Sequence, residues 1–165
     1  MTTTPGQVGQ SGIAIFEAMT PSAAQSLGAA LARIDPWAHY NYTPEALAEY
    51  LAGDEADAPR FKIVVDGELA GAIVYRRNWL RGPYLQFLGI LPACQDRGIG
   101  SVAVLWFERE AGGGRAQNLW VAASDFNVRA LAFYEQHGFV RVATIDALVA
   151  EGVSEILFRK RLTVR

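Results

Sequence analysis

Cysteine and histidine are scarce in this sequence of 165 residues: Cys94 is the single cysteine, and His39 and His137 are the two histidines. One cysteine cannot form an internal disulfide, and these three residues do not have the spacing of a metal-binding motif. We therefore expect no bound metal. The lack of disulfides is typical of a reducing compartment, which predicts a cytoplasmic protein.

Charge of one sign and long apolar runs are also lacking. Lysine and arginine number 15 against 17 aspartate and glutamate, for a formal net charge of −2, so the chain has no basic excess that would attract nucleic acid or an anionic membrane. Apolar runs stay shorter than the roughly 18 residues of a membrane-spanning helix. The polar start does not resemble a signal peptide. We expect one domain over residues 1–165, with residues 1–11 flexible.

Apolar residues are abundant, at 51% of the chain, and they fall into strand-like and helix-like segments. Thr20-Pro21 and Thr43-Pro44 each predict a helix start, since threonine caps a helix and proline suits its first position. Asp66-Gly67, between two β-branched runs, predicts a hairpin. The element order is β-α-α-β-β-β-α-β-α-β-β, which predicts a single mixed sheet with helices on both faces. Predicted strands are 13–19, 61–65, 69–75, 84–90, 118–123, 139–145 and 154–159, and residues 76–83 are predicted to be a polar connector.

The stretch Gln95-Asp96-Arg97-Gly98-Ile99-Gly100 lies between a predicted strand and a predicted helix. A strand that ends in a glycine turn and continues as a helix leaves backbone N–H groups unpaired at the positive end of the helix dipole. Glycines 98 and 100 would let an anion such as phosphate approach the backbone. By itself the pattern fits an ordinary strand-to-helix turn equally well.

A second motif follows about 30 residues later: Asn127-x-x-Ala130-x-x-Phe133-Tyr134-x-x-x-Gly138-Phe139. Together with the spacing of Gln95, Gly98 and Gly100, it resembles the GNAT superfamily of acetyl-CoA-dependent N-acetyltransferases. The resemblance extends from Phe61 to the C-terminus and is weak over residues 1–53. It implies an α/β (α+β) fold with a mixed, mostly antiparallel sheet of six to seven strands, about four helices and a splayed pair of central strands.

The resemblance also implies acetyl-CoA, or coenzyme A, as the ligand and assigns residues to it. The loop from Gln95 to Ser101 would bind the pyrophosphate, and the edge of the strand 84–90 would pair with pantetheine. Gly89 would suit a bulge there. The Ile90 N–H would stabilise the oxyanion, and Tyr134 would protonate the departing thiolate. The implied ligand-binding residues are Leu88, Gly89, Ile90, Gln95, Asp96, Arg97, Gly98, Ile99, Gly100, Ser101, Asn127, Phe133 and Tyr134.

One expected residue is missing, because many relatives carry a glutamate on the strand before the loop. This chain has Gln86 and Phe87 there and no carboxylate between Arg77 and Asp96. A water relay, an amine that arrives deprotonated, or His39 would have to serve instead. A non-catalytic acyl-CoA-binding module is therefore the alternative to an enzyme.

The acceptor region is expected in the aromatic segment after the first helix and near the connector 76–83. Aromatic clustering there favours a cleft. Candidate acceptor-binding residues are Tyr40, Tyr42, Trp79 and Gln86. The acceptor is either a peptide or protein N-terminus or a small primary amine, and the oligomeric state is a monomer or a homodimer.

Overall fold

The computed structural model describes residues 4–7, 13–113 and 115–163. Its strands form one sheet in the order β1-β2-β3-β4-β5-β6-β8-β7, in which only β5 and β6 run parallel. The strands are β1 (Thr4–Gln7), β2 (Ile13–Ala18), β3 (Arg60–Val65), β4 (Glu68–Trp79), β5 (Gly82–Ile90), β6 (Asn118–Ser124), β7 (Val140–Asp146) and β8 (Ser154–Arg161). The helices are α1 (Pro21–Leu31), α2 (Pro44–Leu51), α3 (Ile99–Gly112) and α4 (Val128–Gln136).

The predicted mixed, mostly antiparallel sheet with four flanking helices is confirmed from β2 onward. The predicted helix starts hold, because Thr20 and Thr43 each accept a hydrogen bond from the backbone N–H three residues later. The hairpin between β3 and β4 is confirmed too, since Asp66 and Gly67 both have positive φ, as its turn requires.

One prediction about the chain is wrong. Residues 76–83 are not a polar connector, because β4 continues to Trp79, a two-residue turn follows at Leu80-Arg81, and β5 begins at Gly82. The polar residues of this stretch can belong to strands because they lie at the end of the hairpin, where their side chains are exposed to solvent. Within the stretch 1–11, which the sequence predicts to be flexible, residues 4–7 pair with β2 as β1; the other residues of that stretch lie outside the described ranges.

The sheet has an apolar core on each face. Helices α1 and α2 cover one face, where Leu27, Leu31 and Leu51 are fully buried against side chains of β4 and β5. Helices α3 and α4 cover the other face, where Trp106 stacks on Phe16. No helix within the described ranges is long and apolar enough to cross a membrane.

Strands β5 and β6 separate soon after they meet. Their parallel pairing is limited to Tyr84 with Trp120 and Leu85 with Val121. Beyond Leu85, β5 continues to Ile90 while β6 stays paired with β8. The predicted splayed central pair is thus confirmed, and the β5 edge from Gln86 to Ile90 faces a gap in the sheet.

Candidate functional site

Two connected chambers occupy this gap. The loop chamber, of about 320 Å³, extends from the end of β5 to the start of α3. The splay chamber, of about 220 Å³, lies between β5 and β6. Both are lined by Trp37, Leu88, Asn127 and Tyr134, so together they form one cleft that crosses the sheet.

The start of α3 leaves its first backbone N–H groups available. Gly98 precedes the helix with a φ of 80°, and no side chain caps the helix there. The other three helices differ, because Thr20, Thr43 and Asn127 each cap their helix with a side-chain oxygen. An uncapped helix start with positive dipole potential, open to a chamber, binds anions well.

Two glycines beside the chamber lie so close to their neighbours that a side chain would fit tightly. A Cβ on Gly100 would lie 3.3 Å from the ring of Phe133, and a Cβ on Gly89 would lie 3.0 Å from Leu31 and Trp37. The expected bulge at Gly89 is wrong, since Gly89 stays in register with Ala72. The irregularity comes at Gln86 instead, because Phe87 pairs with Val74 while Leu85 pairs with Tyr75.

The backbone of Ile90 faces away from β4. The next N–H, of Leu91, donates to the carbonyl of Ala70 at 2.8 Å, whereas the Ile90 carbonyl accepts from Gln95 Nε2 at 3.1 Å. Because the N–H and C=O of one strand residue point to the same side, the Ile90 N–H also points away from β4. Among the described residues it has no acceptor, so it is an available donor on the open edge of β5.

Tyr134, on α4, is 7% exposed and lines both chambers. Burial, and secondarily the neighbouring Tyr84, raise the pKa of its phenol above the ordinary value of 10. Its ring packs against Phe133 and Phe139. The phenol therefore keeps its proton at neutral pH, in a fixed position between the chambers.

Most of the ligand-binding residues implied by the resemblance come together around the loop chamber. They are Leu88, Gly89, Ile90, Gln95, Asp96, Gly98, Ile99, Gly100, Ser101, Asn127, Phe133 and Tyr134. The Ser101 hydroxyl also contacts His137 Nε2 at 2.9 Å, and Arg129 holds the loop by contacting Gln95 and Asp96. Arg97 is not among the lining residues, because its guanidinium is directed to Asp66 on the β3–β4 turn.

Three of the four candidate acceptor-binding residues lie at the cleft, and one does not. Tyr40, Tyr42 and Gln86 line the splay chamber. The Gln86 amide is already engaged, because it donates to the Tyr50 hydroxyl and accepts from Arg76. The structure does not bring Trp79 to the cleft, since it lies at the far end of the hairpin against Tyr84 and Trp120. His39, the candidate base, is exposed and stacks on Phe126.

Sequence reasoning missed Glu155, on β8, which lines the splay chamber and is 7% exposed. Its Oε1 accepts hydrogen bonds from the Tyr40 hydroxyl at 2.7 Å and from Ser124 Oγ at 2.6 Å. A signal did exist, because the residue precedes the apolar run Ile156-Leu157-Phe158 in a predicted strand. Its partners are distant in sequence, however, and no spacing rule connects them.

Comparison with known proteins agrees with this geometry. The model of the acetyltransferase (GNAT) family matches residues 24–139. A comparison with curated protein sequences gives no significant match.

Solved structures share the fold. The ribosomal-protein-S18-alanine N-acetyltransferase from Escherichia coli superposes with a TM-score of 0.73 at 14% identity, covering 92% of this chain and 96% of its own. An aminoglycoside 6'-N-acetyltransferase complexed with coenzyme A gives 0.71 at 16% identity, covering 92% and 98%. A Bacillus anthracis protein in complex with acetyl coenzyme A gives 0.59 at 20% identity, covering 67% and 65%.

The family match spans well over half of the chain and includes both the glycine loop and the Asn127–Phe139 motif. The splayed strands and the uncapped start of α3 lie within the same residues. The chain therefore belongs to the GNAT family of acetyltransferases.

Proposed function

We propose that this protein is an N-acetyltransferase that transfers the acetyl group of acetyl-CoA directly to a primary amine. The observation that carries the proposal is the convergence on one cleft of the uncapped start of α3, the available Ile90 N–H and the buried phenol of Tyr134. These groups meet the three needs of the reaction: a site for phosphate, a donor for the thioester oxygen and a proton for the sulfur.

The described residues fit acetyl-CoA along the length of the cleft. The N–H groups at the start of α3 suit the pyrophosphate, because no side chain caps them and Gly100 has no side chain of its own. The open β5 edge from Gln86 to Ile90 suits the amides of pantetheine, which would pair with it as an added strand. Asn127, the cap of α4, lines both chambers and lies beside that path.

When bound, acetyl-CoA supplies a thioester whose carbonyl carbon an amine can attack. The Ile90 N–H donates to the carbonyl oxygen and stabilises the negative charge that develops there. Tyr134 holds its proton at neutral pH and would give it to the departing sulfur. The proton that the attacking amine loses would pass to water in the cleft, and a proton from water would restore the phenol. The acceptor enters the splay chamber, beside Tyr40 and Tyr42.

The acceptor is a primary amine, carried either by a peptide N-terminus or by a small molecule. The titles of two structural neighbours name acceptors of these two kinds: the alanine of a ribosomal protein, and aminoglycosides. Both neighbours are below 20% identical to this chain, so they support the reaction class and leave the choice between acceptor kinds to experiment.

A non-catalytic acyl-CoA-binding module remains the second candidate, favoured by the absence of a carboxylate on β5. Release of free thiol from acetyl-CoA, measured against a panel of amines and N-terminal peptides, separates the two functions. An enzyme gives thiol release that depends on the amine and saturates with it. Saturable binding of acetyl-CoA with no amine-dependent thiol release across the panel would leave only the binding module.

A further inference from the structure

We propose that Glu155, held by Tyr40 and Ser124, is a binding subsite for the positive charge of the acceptor, so that the protein selects primary ammonium compounds without a neighbouring carboxylate. This inference rests on the proposed function, because it assigns the class of acceptor for the same cleft. It concerns a residue on the last strand, β8, outside both motifs that carry the family resemblance.

The hydrogen bonds of Glu155 leave one carboxylate oxygen for a ligand. The Tyr40 hydroxyl and Ser124 Oγ both contact Oε1, and they lie 2.7 Å from each other. Within the described residues, no hydrogen bond or ion pair to Oε2 is found, although the side chain lines the splay chamber. The two hydroxyls therefore fix the carboxylate in one orientation and leave Oε2 available in the cleft.

The charge of Glu155 has no protein counter-charge. Of the described residues that line the splay chamber, none is lysine, arginine or histidine, and Glu155 is the one carboxylate. A carboxylate that is 7% exposed carries a large desolvation cost unless a cation or several donors compensate it. Two neutral hydroxyls compensate it in part, and a ligand ammonium would supply the opposite charge.

The walls around Glu155 also suit a cation. Trp37, Tyr40, Tyr42 and Tyr84 line the same chamber, and aromatic faces attract ammonium groups. Burial is the main cause that raises the pKa of Tyr40 to about 12; the hydrogen bond with Ser124 is next in size and lowers it, and the hydrogen bond and charge of Glu155 raise it further. Tyr40 therefore remains a neutral donor to the carboxylate throughout the physiological range.

The negative charge of Glu155 also disfavours acceptors that carry a carboxylate of their own. A free amino acid would bring its own carboxylate into a chamber whose only lining charge, among the described residues, is negative. An amine on an uncharged or cationic carrier, such as a peptide N-terminus or an alkylamine, meets no such repulsion. The subsite thus favours these acceptors over free α-amino acids.

The test uses NMR titration to measure the binding of matched probes to the full chain, with and without coenzyme A. L-alaninamide and L-phenylalaninamide are the cations, and L-alanine and L-phenylalanine are the zwitterions of the same shape. L-lactamide, with a hydroxyl in place of the amine, is the neutral analogue of L-alaninamide. We expect at least one amide to bind at least tenfold more tightly than its acid, and L-alaninamide to bind more tightly than L-lactamide.

Glu155→Gln keeps a hydrogen-bond acceptor for Tyr40 and Ser124 but removes the negative charge. It should therefore reduce the preference for the amide over the acid to below about threefold. The control, Glu151→Gln, removes an exposed carboxylate from the loop before β8 and should keep the full preference. Equal binding of amides and acids by the wild-type protein, no saturable binding of either amide, or an unchanged preference in a folded Glu155→Gln protein would overturn the inference. If Glu155→Gln does not fold, the wild-type comparison decides alone.

Calorimetry with acetyl-CoA on the same preparations distinguishes failure of the ammonium subsite from failure of the proposed function. If acetyl-CoA binds and amines release thiol but the preference is absent, only the ammonium subsite is wrong. If acetyl-CoA does not bind to the wild-type protein, the proposed function fails whatever the amine preference is.

Discussion

The phenol of Tyr134 lies between the two chambers, where a departing sulfur would need a proton. Tyr134→Phe keeps the ring packing and removes only the hydroxyl. We expect kcat to fall by about 100-fold or more, since general acid catalysis contributes roughly 10²–10⁴-fold. The affinity for acetyl-CoA, measured by calorimetry, should change little. Thiol release as fast as in the parent protein would remove Tyr134 from the acid role.

The raised pKa of Tyr40 predicts a loss of stability in alkali. The phenol titrates near 10 in the unfolded chain and at about 12 in the folded protein, so its contribution is complete below pH 10 and disappears as pH rises from 10 to 12. Urea unfolding at pH 9 and pH 11 measures the decline. Tyr40→Phe should make the decline smaller, whereas the exposed Tyr42→Phe should leave it unchanged. An equal decline in the Tyr40→Phe protein would contradict this.

Individual site residues differed in how well the sequence predicted them. Those of the glycine loop and of α4 follow from motifs with fixed spacing, because each motif folds as one local unit. Glu155 and Tyr40 are 115 positions apart: the pairing of β8 with β6 sets Glu155 beside Ser124, and Tyr40 reaches both from the segment after α1. Trp79 was predicted to bind the acceptor because it is an aromatic residue in a polar segment. In the structure it lies at the far end of a hairpin, against Tyr84.

At the scale of elements, the helix caps allow a stability effect to be separated from a ligand effect. Asn127 Oδ1 accepts from the Ala130 N–H, as Thr43 Oγ1 does from the Ala46 N–H on α2. Replacing either residue by alanine should lower the free energy of unfolding by about 1 kcal/mol. Because Asn127 also lines both chambers, only Asn127→Ala should weaken acetyl-CoA binding. Equal affinity in both variants would limit Asn127 to capping.

The turn between β4 and β5 contains two non-glycine residues with positive φ, Leu80 at 36° and Arg81 at 64°. A left-handed conformation costs a side-chain-bearing residue about 1–2 kcal/mol, and glycine adds an entropic cost of about 0.5–1 kcal/mol. Arg81→Gly should therefore raise the free energy of unfolding by roughly 0.5–1 kcal/mol. The carbonyl of Arg81 keeps its bond to Asn118. Arg33→Gly, at an exposed position without positive φ, should lower the stability; a loss at Arg81 would contradict the argument.

Element types were predictable where local chemistry decides them, as at Thr20-Pro21, Thr43-Pro44 and Asp66-Gly67. The extension of β4 to Trp79 was not, because polar residues at the exposed end of a hairpin look like a loop in sequence. Arg76 and Arg77 belong to the strand, and their contacts with the loop 53–59 become visible only after folding. Pairing of residues 4–7 with β2 likewise depends on tertiary structure.

At the scale of the whole molecule, function depends on a defect in an otherwise continuous sheet. Strands β5 and β6 pair over two residues only, and the residues assigned to ligand binding, except Arg97 and Trp79, lie around the gap that follows. The element order predicted the sheet and the family resemblance predicted the gap. The carboxylate in the splay chamber could not be predicted, since Glu155 comes from β8 and its partner Tyr40 from the segment after α1.

Calorimetric titration of acetyl-CoA into the wild-type protein and into Gly100→Leu tests the central claim most directly. Leucine at this position would collide with Phe133 and fill the space in front of the α3 N–H groups. Leu105→Phe is the control, because Leu105 is exposed on α3 and does not line the loop chamber. We predict saturable binding to the wild-type and control proteins and loss of at least tenfold in affinity for folded Gly100→Leu. No saturable heat with the wild-type protein, or undiminished affinity in Gly100→Leu, would contradict the account.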